Sequence, residues 1–148
     1  MELIVRRMRE GDLEELYRLL SDPRVMRFLE PPYSRERTER FLKTAGLSEP
    51  PLVWAVEDEE GFAGYVISHD YDGGAAEIGW VLRPERWGRG YASRLTELLI
   101  ARYAPSGKEL VIECAPEQDI TRHIALKYGF ACEGIRDGLA LYRLKKEQ

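Results

Sequence analysis

The segment RPERWGRGYASRLTELLIARY, residues 83–103, sets Gly88 and Gly90 two positions apart among arginines where a patterned helix begins. Glycine inside an element costs roughly 0.5–1 kcal/mol relative to alanine, so this pair serves either a sharp turn or the close approach of another molecule. Anion binding is the chemistry on offer. The N–H groups of Gly88, Arg89, Gly90, Tyr91, Ala92 and Ser93 precede the first internal bonds of the helix and point free of the chain. Together with the helix dipole they favour a phosphate or diphosphate, and the small residues at 88, 90, 92 and 93 leave room for its oxygens. Arg86 and Arg89 either supplement such contacts or are simply solvated. A tight strand-to-helix turn uses the same glycines for its own backbone angles, and spacing alone leaves both readings open. Neither nucleotide fingerprint is complete, because the turn lacks the Lys-Ser/Thr ending of a Walker loop and GRGYAS does not finish G-x-G-x-x-G.

A second candidate is Glu77, an acid inside the apolar run AAEIGWVL, on the same strand face as Gly79 and Val81. Burial would raise its pKa toward the range of a general base. It can equally be an acid held by a structural partner, or one that attracts a cationic substrate without moving protons. His69 and His123 lie far apart with no companion ligand spacing, so both read as surface or hydrogen-bonded residues and no metal site is expected. Tyr33, Trp54 and Tyr71 either line an acceptor pocket or belong to the core. Cys114 and Cys132 sit in strand-like sequence and read as buried, inert thiols.

These residues need elements to position them. LIVRRM reads as an opening strand, and GDLEELYRLLSD as a helix with Leu13, Leu16, Tyr17 and Leu20 on one face, stopped or restarted by Pro23. Ser34 is a plausible N-cap for a helix over SRERTERFLKTA. LVWAVED, GFAGYVISHD and AAEIGWVLR form an antiparallel meander, with Asp72-Gly73-Gly74 at one turn. A helix over 89–103 shows Leu95, Leu98, Leu99 and Tyr103 at helical spacing. ELVIECA then reads as a strand buried on both faces, and DITRHIALKYGF as a helix capped by Asp119. ACEGIRDGLALYRLKK closes the chain as two strands or a hairpin. The order describes one mixed α/β domain over residues 1–148. Its strand-helix-strand unit from residue 76 to 115 is a right-handed crossover between parallel strands, with a ligand at their carboxyl ends.

Composition narrows the class. A chain of 148 residues that is 44% hydrophobic supports one real core. No stretch approaches the roughly 18 consecutive apolar residues of a membrane span, and MELIVRRMREGD turns charged before a signal-peptide core forms, so a cytoplasmic protein without membrane partners is expected. A net charge of −4 and a pI near 5.4 argue against a general nucleic-acid binder and fit an amine-bearing partner better.

Residues 87–92, WGRGYA, resemble the glycine signature of the GNAT superfamily of N-acetyltransferases, Gln/Arg-x-x-Gly-x-Gly/Ala, with Trp87 replacing the usual Gln or Arg. WG(K/R)GYA after EIGW and PE is similar to the RimJ/RimL-like branch, the ribosomal-protein Nα-acetyltransferases. PEQDITRHIALKYGF resembles that branch's PEN…S…KLGF segment. The resemblance implies a GNAT fold, a mostly antiparallel sheet with one splayed parallel pair of strands and flanking helices. It implies acetyl-CoA as cofactor and a primary amine, a protein N-terminus or a small molecule, as acceptor.

The resemblance also implies a diphosphate at residues 86–93 and pantetheine along the strand backbone at Trp80, Val81 and Leu82, with an N–H near Val81 polarising the thioester carbonyl. It makes Glu77 the base acting through water. Thr121 matches the branch's serine near the leaving group, and Gln118 replaces an asparagine that contacts the pantetheine arm. The tyrosine many relatives place four residues before Gly-Phe is here Ala125, while Tyr128 falls on another face. A non-catalytic acyl-CoA sensor is the alternative, and either a monomer or a homodimer is compatible.

Overall fold

Apolar runs and glycine-bearing turns build one seven-stranded sheet, ordered β1-β2-β3-β4-β5-β7-β6 in a computed structural model that describes residues 2–146. The strands are β1 (Ile4–Arg6), β2 (Val53–Asp58), β3 (Gly61–Asp70), β4 (Ala76–Leu82), β5 (Leu110–Cys114), β6 (Ala131–Arg136) and β7 (Leu139–Leu144). Every neighbouring pair is antiparallel except β4 with β5. The hairpin of β6 and β7 turns at Asp137 and Gly138, both at positive φ, as the twist of a two-residue hairpin loop demands.

Helices cover both faces. On one, α4 (Tyr91–Tyr103) and α5 (Asp119–Lys127) close a core in which Tyr91, Leu95 and Leu99 meet Val66, Ile78, Leu82 and Ile112. The buried stripe of α4 therefore runs 91, 95, 99; Leu98, expected in it, lies on the flank and is exposed. On the other face, α1 (Leu13–Leu20), α2 (Pro23–Met26) and α3 (Arg35–Phe41) bury Leu16, Leu19 and Leu20 against Ala55, Tyr65 and Val81. Asp22 caps α2 ahead of Pro23, accepting from Arg24 N at 2.8 Å. Ser34 caps α3, accepting from Arg37 N at 3.1 Å as the sequence suggests.

Several expectations are corrected by tertiary context. Gln118, not Asp119, is the N-cap of α5. Cys114 is buried but Cys132 is exposed, because β6 is an edge strand whose residues are all open to solvent. Of the two readings open for Trp54, the core one holds: it packs on the α4 side, beneath the guanidinium groups of Arg7 and Arg102, away from the face that carries Glu77. Among the described residues no helix is long and apolar enough to cross a membrane.

Candidate active site

The parallel pair decides the site. β4 and β5 are in register only at Ala76 with Leu110 and Glu77 with Val111; beyond Glu77 they part. The N–H of Ala76 donates across to Glu109 O on the β5 side at 2.9 Å, whereas that of Arg83 donates to Ala63 O on the β3 side at 2.9 Å. Strand backbone alternates with a period of two, and the β3–β4 register is unbroken. The main-chain groups of Trp80 and Leu82 therefore face the gap, and those of Gly79 and Val81 face β3. Gly64 confirms the direction, since a Cβ there would lie 2.1 Å from Val81 O. The expected Val81 amide is turned away from the gap, and Val81 contributes only as cavity wall.

At the carboxyl end of β4 the chain bends through Gly88 (φ 75°) and Gly90 (φ 80°) into α4. Gly90 is a left-handed N-cap with no side-chain hydrogen bond, and the first main-chain bond of the helix runs from Arg94 N to Gly90 O at 3.1 Å. The amides ahead of Arg94 thus have no carbonyl inside the helix. A Cβ placed on Gly88 or Gly90 would meet no protein atom within 4 Å, so the space over the turn is open. The donor set fits a diphosphate, with several amides at one helix N-terminus, while Glu117 and Asp119 are among the residues lining the same cavity.

A buried cluster beneath the turn holds its shape. Arg86 Nε donates to Asp58 Oδ2 at 2.5 Å and Tyr91 Oη donates to the same oxygen at 2.7 Å. Burial alone would raise the Asp58 carboxyl, but these bonds outweigh it and hold it below its ordinary value. The expectation that Arg86 serves a phosphate is corrected: its side chain is buried and committed to Asp58. Arg89 stays at the surface, paired with Glu60 at 3.1 Å. The Trp87 indole N–H donates to Leu82 O at 3.0 Å and ties the turn to the end of β4.

The gap opens into a cavity of about 720 Å³. Trp80, Leu82, Trp87, Gly88, Gly90, Tyr91, Ala92 and Ser93 line one side, Gln118 and Thr121 another, and Arg27 and Phe28 close it from the segment after α2. Gln118 bends back so that Oε1 accepts from Ala115 N at 2.9 Å, leaving its amide nitrogen as the group available to a ligand. Tyr128 donates to Glu97 and lies outside the cavity lining.

Glu77 is not in that lining. It stands at the neck, at the last paired position before the strands separate. His69, opposite it on β3, approaches with Nε2 3.3 Å from Glu77 Oε1. Beside them Tyr71 Oη donates to Glu113 Oε1 at 2.5 Å, which pushes the phenol up to about 12. Tyr33, on the same helix-covered face, donates to Glu30 at 2.6 Å, and its phenol is likewise pushed up to about 12, by burial first and by Glu30 second.

Sequence reasoning missed Asp58 and the contact of His69 with Glu77. Asp58 opens the acidic run DEE and looks solvated; His69 reads from sequence as a surface or hydrogen-bonded residue, with no partner named. A histidine on an alternating strand directly before a turn, facing an acid on the next strand, was the available signal.

The sheet splits at its one parallel pair, and the glycine turn that opens α4 lies at the mouth of the split. A family model for the acetyltransferase (GNAT) domain matches residues 2–131, and the chain belongs to that family of acetyl-CoA-dependent acetyltransferases. It is 27% identical over 138 residues to YnaD, an uncharacterised N-acetyltransferase of Bacillus subtilis (strain 168), covering 89% of this chain and 81% of that one. The fold superposes on a GNAT-family acetyltransferase from Bacillus anthracis with TM-score 0.86 at 23% identity, over 100% of this chain and 97% of the other. It also superposes, with TM-score 0.82 and 20% identity over 97% and 94% of the chains, on RimL, a ribosomal L7/L12 α-N-protein acetyltransferase in complex with coenzyme A.

Proposed function

We propose that this protein transfers the acetyl group of acetyl-CoA to a primary amine, with a protein N-terminus as the leading acceptor class and a small amine as the other. The separation of β4 from β5 directly after Glu77 carries the reading, because it puts a free strand edge beside an acid. The N-terminal reading draws on the likeness of EIGW, WGRGYA and PEQDITRHIALKYGF to the RimJ/RimL-like branch. A cytoplasmic enzyme acting as a monomer or homodimer fits it.

Bound acetyl-CoA supplies an activated acyl group on a thiolate leaving group. The amides of residues 88–93 hold the diphosphate, and Arg89 adds charge at the surface. Trp80 and Leu82 pair with the pantetheine amides as a neighbouring strand would. The Trp80 N–H takes the part first given to Val81, polarising the thioester carbonyl. Glu77 removes a proton from the incoming ammonium through water, since only the neutral amine attacks. Thr121, which with Gln118 lines the far wall, would face the departing sulfur. A thiol pKa of about 8.5 makes the thiolate a tolerable leaving group with little acid help.

The test incubates the purified protein with acetyl-CoA and a panel of peptides with free amino termini, polyamines and amino sugars. Thiol release and product mass are followed together. Turnover on at least one amine, lowered about 100-fold in Glu77→Gln, is expected; coenzyme A binding without turnover on any amine would overturn the reading.

A further inference from the structure

Among the described residues, His69 is the titratable side chain recorded in an ion-pair contact with Glu77. Its Nδ1 lies 2.8 Å from the carbonyl oxygen of Asp70, which can only accept, so Nδ1 carries a hydrogen. In the neutral imidazole this leaves the Nε2 lone pair facing Glu77 Oε1 at 3.3 Å. A lone pair against a carboxylate oxygen is unfavourable, and a single proton between them turns the contact into a charge-assisted hydrogen bond. The pair is built to receive one proton. Side-chain exposures of 25% for His69 and 19% for Glu77 leave a route to solvent.

We infer that His69 is a positioning residue acting through Glu77, and that the proton taken from the acceptor amine comes to rest on His69 Nε2 rather than on the carboxylate. The inference rests on Glu77 being the base. The step begins with ammonium, glutamate and neutral imidazole. One N–H bond of the ammonium breaks as Glu77 accepts its proton, directly or through water, and the proton passes from Glu77 to Nε2. It ends with a neutral amine, glutamate and imidazolium, with the charge sum unchanged. An imidazole is intrinsically a better acceptor for an ammonium proton than a carboxylate is. Glu77 first, and the Asp70 carbonyl after it, raise His69 above 6.5, against the opposing effect of burial.

The surrounding charges leave that bond as the governing one. The Asp70 carboxylate is occupied by Lys108 at 2.7 Å. Tyr71 is turned to Glu113 on β5, and Arg136 on β6 acts on Tyr71 from further away.

The experiment compares kcat against pH for the wild type, His69→Gln and Glu77→Gln with one saturating amine, alongside an NMR titration of the imidazole in the wild type and Glu77→Gln. In the wild type the acid limb is expected above 6.5. His69→Gln should lower the plateau roughly 10-fold or more and displace that limb, with KM for acetyl-CoA unchanged. In Glu77→Gln the imidazole should titrate lower than in the wild type. If Glu77→Gln is inactive while the His69→Gln profile superposes on the wild type, the inference fails and Glu77 remains the base. If Glu77→Gln retains full activity, the base assignment fails and takes the inference with it. Should His69→Gln not fold, the NMR titration decides alone, and an imidazole that ignores Glu77→Gln overturns the proposal.

Discussion

Asp58 and Arg86 form a buried ion pair across the mouth of the site, Oδ2 to Nε 2.5 Å, with side chains only 1% and 5% exposed. The pair links the end of β2 to the segment before the glycine turn, while Tyr91 on the same carboxylate links it to the residue after. One acid therefore staples both flanks of the loop whose amides face the opening. Removing it leaves a buried guanidinium without a partner.

Asp58→Ala should destabilise the fold by about 3–5 kcal/mol, the cost of breaking a buried pair from one side. Coenzyme A affinity should fall as well, because the turn loses its brace. Thermal melts and calorimetry check the two effects, and an unchanged affinity in the folded variant would refute the bracing role.

Gly90→Ala separates backbone strain from ligand space. The left-handed φ of 80° costs an L-residue about 1–2 kcal/mol, yet the added methyl meets no protein atom within 4 Å. Coenzyme A affinity is expected to drop at least about tenfold, or roughly 1.4 kcal/mol, because the methyl enters the space the diphosphate needs. An affinity equal to the wild type would place the diphosphate elsewhere.

Hydrogen exchange tests the alternation along β4. Coenzyme A should slow the amides of Trp80 and Leu82 and those of residues 88–93. Gly79 and Val81 should be protected with or without it, because they already bond to β3. Equal slowing of Val81 and Trp80 contradicts the strand direction described above.

Glu77→Gln should lower kcat about 100-fold with little change in KM for acetyl-CoA. Its stability effect has a definite sign. His69 is raised in the fold, so its bond to Glu77 contributes fully below the unfolded value of 6.5 and is lost as pH rises through the folded value. The variant should therefore melt further below the wild type in acid than in alkali, and melts at both ends of the range settle it. A gap that widens in alkali means that imidazolium is not the bonded form.

Much of the scaffold was legible because its signals are local. The meander over residues 53–82 shows as apolar, β-branched and aromatic runs broken by acidic and glycine turns, Pro23 follows a capping acid, and Ser34 opens its helix where the sequence marks it. The glycine turn was legible as well, though its use was not. Two errors share one cause. Leu98 and Cys132 are apolar or small in apolar-looking runs, and their exposure depends on which element lies over them. Arg86 and Arg89 look alike in sequence. A strand ending in Asp58, 28 residues before Arg86, makes one structural and leaves the other at the surface.

The sequence by itself determined the order of elements, the bend at Gly88 and Gly90 and the presence of an acid in an apolar strand, since each depends only on neighbours within a few positions. Tertiary structure alone decided where β4 leaves β5, which amides of β4 face the gap, and which partners Asp58 and Glu77 take. Those outcomes are set by strand register between residues remote in the chain, and register is a property of the assembled sheet that no single segment carries.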